Sequence, residues 1–74
     1  MSTDVNPPPI RLREWRAWKA LSQEQLAGLS GVGKATIARI EGRHLSPRPS
    51  TIQKLARALS VMPEDLYRSP YDRP

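Results

Sequence analysis

At 74 residues the chain has room for one small core, and with no cysteine that core can be stapled neither by a disulfide nor by a thiolate-bound metal. No apolar run approaches the length of a membrane span, and the opening MSTDVNPPP lacks the apolar stretch of a signal peptide, so a soluble, cytoplasmic protein is expected. The net charge of +5 is unevenly placed: ten basic residues against three acids lie between Ile10 and Ser60, which points to a polyanionic partner, nucleic acid or an acidic protein.

Taken in chain order, Asn6-Pro7-Pro8-Pro9 favours an extended polyproline conformation, and residues 1–9 are read as a disordered Pro-rich arm. A first helix is predicted from about Ile10 to Ala20, with Leu12 and Trp15 facing inward together with Trp18 or the stem of Lys19. Ser22 can cap a second helix, because Gln25 stands three residues on in a capping-box pattern; Leu26, Ala27 and Leu29 follow, and Ser30-Gly31 ends it. A third runs from about Gly33 through Lys34 to Glu41 and stops at Gly42, with Ile37 and Ile40 on one face. Arg43 to Pro49 is a loop, since Pro47 and Pro49 forbid a continuous helix. Ser50 is expected to cap a fourth helix, whose Ile52, Leu55, Ala56 and Leu59 form an amphipathic stripe. A short fifth begins near Pro63, with Glu64 and Asp65 complementing the helix dipole and Leu66 and Tyr67 facing inward. Residues 69–74, ending in Asp72-Arg73-Pro74, are read as a flexible tail.

No segment shows the period-two alternation or Asn-Gly turn of a strand. Helices this short are unstable in isolation and must share one core. The expected fold is therefore all-α, a compact bundle of five short helices spanning residues 10–68.

The segment QEQLAGLSGVGKATIARIEGR, Gln23 to Arg43, carries the functional signal. Two short helices joined by a tight glycine-containing turn form the helix-turn-helix pattern. Ala27 is small where the third helix must cross closely, and Gly31 supplies a turn expected at positive φ. Val32, Ile37 and Ile40 hold the third helix to the core, which leaves Lys34, Ala35, Thr36, Ala38 and Arg39 outward. Eight residues make a helix about 12 Å long, and the major groove of B-form DNA is about 12 Å wide.

Residues 12–67 resemble the phage repressor/Cro (XRE) helix-turn-helix family, the lambda-repressor-like DNA-binding domains. The resemblance rests on Leu12-Arg13-Glu14-Trp15-Arg16, Leu21-Ser22-Gln23-Glu24-Gln25-Leu26-Ala27, Ser30-Gly31-Val32, Thr36-Ile37-Ala38-Arg39-Ile40-Glu41-Gly42 and Leu55-Ala56-Arg57-Ala58-Leu59. It implies a five-helix bundle that binds double-stranded DNA in a sequence-specific way, here as a transcriptional regulator that represses by covering a promoter. Lys34, Ala35, Thr36 and Arg39 match the family's base-facing positions; Arg39 is suited to guanine O6 and N7, Lys34 to the same acceptors, and Thr36 to a thymine methyl or a phosphate. Gln23 matches a phosphate-binding position, and Arg43 and Arg48 flank a loop that would follow the DNA backbone, where His44 or Ser46 can add a hydrogen bond. The resemblance also implies a structural ion pair between Arg16 and Glu41, with Arg16 near a phosphate. Two positions depart from the family: Gly33 stands where Ser or Thr usually caps the recognition helix, and Trp18 where a small residue is preferred, either filling core volume or remaining partly exposed.

One recognition helix reads only a few base pairs, so a homodimer on a near-palindromic operator is expected, with half-site centres about 34–36 Å apart. Val61, Met62 and Tyr67 are the interface candidates; the alternative is that they finish the monomer core. Catalysis is not expected: His44 is the single histidine, the carboxylates are scattered, and neither a metal nor another cofactor is called for. The competing reading is an antitoxin or adaptor whose main partner is a protein, with the Pro-rich arm as a partner segment and DNA binding secondary. Met1 and the lack of a second domain favour a complete protein.

Overall fold

The structure, a computed structural model, describes residues 9–71. The arm expected over residues 1–9 lies, apart from Pro9, outside the described residues, as do residues 72–74 of the tail. Four α-helices, α1 (Leu12–Trp18), α2 (Gln23–Ser30), α3 (Lys34–Glu41) and α4 (Pro49–Leu59), are followed by a 3-10 helix at Pro63–Tyr67. There is no strand among the described residues.

Helix α4 is the central rod. Its Ile52, Leu55, Ala56 and Leu59 are all buried, as the stripe required, and α2 and the 3-10 helix pack against it. Leu12 and Trp15 from α1, Leu26 from α2, Val32 from the turn and Ile37 and Ile40 from α3 complete the core with Leu66. Leu29, read with Leu26 and Ala27 as part of the α2 helix, is 62% exposed.

Local chemistry sets the boundaries. Ser22 Oγ accepts from the Gln25 N–H at 3.0 Å and Gln25 Oε1 accepts from the Ser22 N–H at 2.8 Å, completing the capping box. Gly31 closes α2 at φ +77°, the left-handed conformation expected of it. Helix α4 begins two residues before the expected start: Arg48, not Ser50, is its cap and Pro49 its first residue, so Ser50 lies inside the first turn. The fixed φ of proline suits that position, and its missing N–H would have had no helical partner.

Helices α1, α3 and α4 end in the same way. The Leu21, His44 and Val61 N–H groups reach back to the Arg16, Arg39 and Ala56 carbonyls at 3.0, 2.9 and 3.0 Å, the six-to-one bond of a Schellman closure. That closure needs a left-handed residue, and here it is never glycine: Ala20, Arg43 and Ser60 stand at φ +57°, +61° and +59°.

The 3-10 helix and the residue after it are fastened to α1 and its cap. The Trp15 indole Nε1 donates to the carbonyls of Asp65 (3.0 Å) and Arg68 (2.9 Å), and the Arg11 N–H donates to that of Leu66 at 2.6 Å. Residues 69–71, expected to begin a flexible tail, pack onto the bundle instead. Pro70 is fully buried, and the Tyr71 ring meets Trp18 edge-on at a centroid distance of 5.4 Å. Trp18 accordingly lies outside the core, 47% exposed.

Candidate nucleic-acid interface

The turn Gly31-Val32-Gly33 sets α3 against α2, and three side chains hold it there. Ile37 and Ile40 are buried beneath the helix and Val32 at its entry. At the far end Glu41 turns inward, its side chain only 6% exposed. It accepts from Arg16 Nε at 2.6 Å and Arg16 Nη2 at 3.0 Å, a bidentate pair. The Gln23 amide donates to the same carboxylate at 3.1 Å, while Arg16 Nη1 donates to the Leu21 carbonyl at 2.8 Å. This joint ties α1, α2 and α3 together, and the Glu41 hydrogen bond raises the Arg16 pKa further against a smaller opposing effect of burial.

With one side anchored, the other is left to solvent. Lys34, Ala35, Ala38 and Arg39 are exposed; Thr36 is half-buried. The Lys34 ammonium lies 3.4 Å from Glu24, with both side chains largely exposed, so the pairing is loose. Arg39 makes no side-chain hydrogen bond among the described residues. Arg43, His44, Ser46 and Arg48 follow in the connection to α4, all exposed. Gly42 is favoured there by close approach rather than by its φ of −80°: a Cβ would stand 2.9 Å from the exposed His44 ring, which would have to move, and 3.3 Å from the Ala38 carbonyl. At Gly33 a Cβ would meet nothing nearer than Thr36 Oγ1 at 3.9 Å, so the missing capping hydroxyl reflects this sequence and not a lack of room.

The structure thus brings Lys34, Ala35 and Arg39 onto one face and leaves Arg43 and Arg48 free to meet a polyanion. It turns two other expected contact residues toward the fold, since Gln23 and Arg16 both bond to Glu41. Ala38 is outward as expected, whereas Thr36, expected on the same face, is half-buried. Of the three dimer candidates, Met62 is 59% exposed, whereas Val61 and Tyr67 are half-buried against the core. A recess of about 80 Å³ beside Ile10, Ile40 and Tyr67 is well below the usual size of a small-molecule site.

The profile of the family described as a helix-turn-helix domain matches residues 10–68. An uncharacterized HTH-type transcriptional regulator, RghRB of Bacillus subtilis (strain 168), is 47% identical over 63 residues, which are 84% of this chain and 45% of that protein. This chain therefore spans less than half the length of that relative. Among solved structures, the restriction-modification controller protein C.AhdI from Aeromonas hydrophila superposes with a TM-score of 0.73 at 43% identity, over 76% of this chain and 85% of that one. The P22 c2 repressor protein, solved in complex with a synthetic operator, superposes with a TM-score of 0.70 at 26% identity, over 78% of this chain and 88% of that one.

Proposed function

The chain belongs to the helix-turn-helix domain family, and from that premise we propose that it binds double-stranded DNA sequence-specifically and regulates transcription, acting as a repressor by covering a promoter. The observation that carries this reading is the two-sidedness of α3: Ile37, Ile40 and Glu41 are locked into the bundle while Lys34, Ala35, Ala38 and Arg39 are exposed. A helix held this way can lie in the major groove without rearranging. Arg39 grips a guanine edge, Lys34 reaches a base or phosphate at the entry, and Ala35 lets the backbone come close. Arg43 and Arg48 anchor phosphates. Arg16 retains N–H groups beyond those given to Glu41 and Leu21, and Gln23 reaches a phosphate by exchanging Glu41 for it. Thr36, half-buried, serves a phosphate at the groove edge rather than a base.

Two copies pair on a near-palindromic operator, with exposed Met62 at the centre of the contact and Val61 and Tyr67 supporting it from within each copy. The protein works where its DNA is, in the cytoplasm with the nucleoid; among the described residues no helix is long and apolar enough to cross a membrane. The relatives are regulators and repressors, and no enzymatic role or cofactor is assigned.

The test is a binding titration of the purified chain against duplex DNA over a range of salt. Affinity should fall by nearly one log unit per log unit of salt for each phosphate neutralised. Reversing both charges, Lys34→Glu with Arg39→Glu, should abolish preference for selected sites. A flat salt response, or a double variant that selects the same sites, would remove this reading.

A further inference from the structure

Resting on α3 as the groove-facing helix, we propose that Ala35 and Ala38 form a reader for the 5-methyl group of pyrimidines, so that the half-site carries thymine beneath them and guanine beside Arg39. At about 100° per residue, the outward residues of α3 and its cap fall across the face in the order Lys34, Ala38, Gly42, Ala35, Arg39. The charges stand at the two margins; between them Ala38 and Ala35 offer no hydrogen-bonding side chain, and the polar ring of His44 lies only against the Gly42 end, 2.9 Å from where a Cβ there would stand.

Such a middle has definite consequences in a groove. Two methyls and a glycine allow the helix backbone close to the base edges. The base nitrogens and oxygens beneath them lose water and gain no partner, which is unfavourable. A pyrimidine 5-methyl has no hydrogen bond to lose and gains apolar contact with an alanine methyl. Neighbouring side chains leave the two alanine methyls uncovered: Thr36 is half-buried, Lys34 leans toward Glu24 at 3.4 Å, and the His44 ring lies at Gly42, at the end of the helix. Arg39 is left as the directed donor that fixes the register. Thymine and 5-methylcytosine present the same methyl at the same position; thymine is the occupant of an unmodified operator.

The test uses duplexes recovered by selection from random DNA. Each thymine is replaced in turn by uracil, which removes the methyl alone, and each cytosine by 5-methylcytosine, which adds it. Uracil beside the guanine read by Arg39 should weaken binding about fourfold per methyl, with the salt slope unchanged. Adding the methyl to a cytosine at that register should restore part of the loss, and relative affinities for the two methylated bases separate the sources. In Ala35→Ser and Ala38→Ser, with folding checked by thermal melting, the uracil penalty should shrink. Uracil duplexes that bind as tightly as thymine duplexes, with a steep salt slope intact, would overturn the methyl reader and leave DNA binding standing. A uracil penalty unchanged in both serine variants would overturn it too. Failure to bind any duplex would remove the underlying reading with it.

Discussion

The Gln23 side-chain amide donates to Glu41 at 3.1 Å, on the same carboxylate oxygen that Arg16 Nη2 reaches at 3.0 Å. One carboxylate therefore fixes the end of α3 to both preceding helices. Glu41→Ala should destabilise the fold by about 1–3 kcal/mol, because it removes a bidentate charge-assisted pair and leaves the part-buried Arg16 guanidinium with only the Leu21 carbonyl as partner. Thermal melting followed by circular dichroism measures this, and a loss near zero would show that the joint is dispensable.

Gln23→Ala separates the two uses of that amide. Losing one hydrogen bond to a charged group should cost about 1–2 kcal/mol of stability. A neutral amide displaces no counterion, so the salt slope of DNA binding should stay at the wild-type value even where affinity falls.

Arg39 and Arg43 should behave differently. Arg39→Ala is expected to lose about 1–3 kcal/mol on preferred sites and to relax preference at one base position. Arg43→Ala should weaken every duplex alike and lower the salt slope by about 1. Competition binding on selected and scrambled duplexes distinguishes the two outcomes.

The left-handed residues that close α1 and α3 suggest stabilising changes. Ala20→Gly should raise stability by about 1 kcal/mol, the relief of placing a side chain at φ +57°. Arg43→Gly should give a similar gain while weakening DNA binding, so its melting temperature and affinity move in opposite directions.

Gly33→Ser should add a few tenths of a kcal/mol by restoring a capping hydroxyl. The backbone there is already extended, at φ −62° and ψ 146°, and the site has room. A drop in melting temperature would count against this.

What could be read from the sequence was mainly what is decided within a few residues. The Ser22–Gln25 box, the left-handed Gly31 and the α4 stripe all follow from near neighbours. The Arg16–Glu41 pair joins residues 25 apart, and only family likeness suggested it. The seating of Pro70 and Tyr71 on α1 had no local signal, since Ser-Pro segments at a chain end ordinarily stay free. The inward turn of Gln23 was hidden for the same reason: its acceptor lies 18 residues away. On α3, periodicity separated the buried isoleucines from the exposed face, while the base-contacting set came from the matched family positions, which include Ala35 and Thr36 but not the equally exposed Ala38.

Trp15 and Arg16 are consecutive residues of α1 that hold two different parts of the chain. One indole holds the carbonyls of Asp65 and Arg68, and the next side chain holds Glu41 at the foot of α3. Pulling away the 3-10 helix and Arg68 would deprive the indole of both acceptors and loosen the very helix on which Arg16 rides. Residues 65–68 thereby have leverage over how firmly α3 is seated, although they hold neither Lys34 nor Arg39.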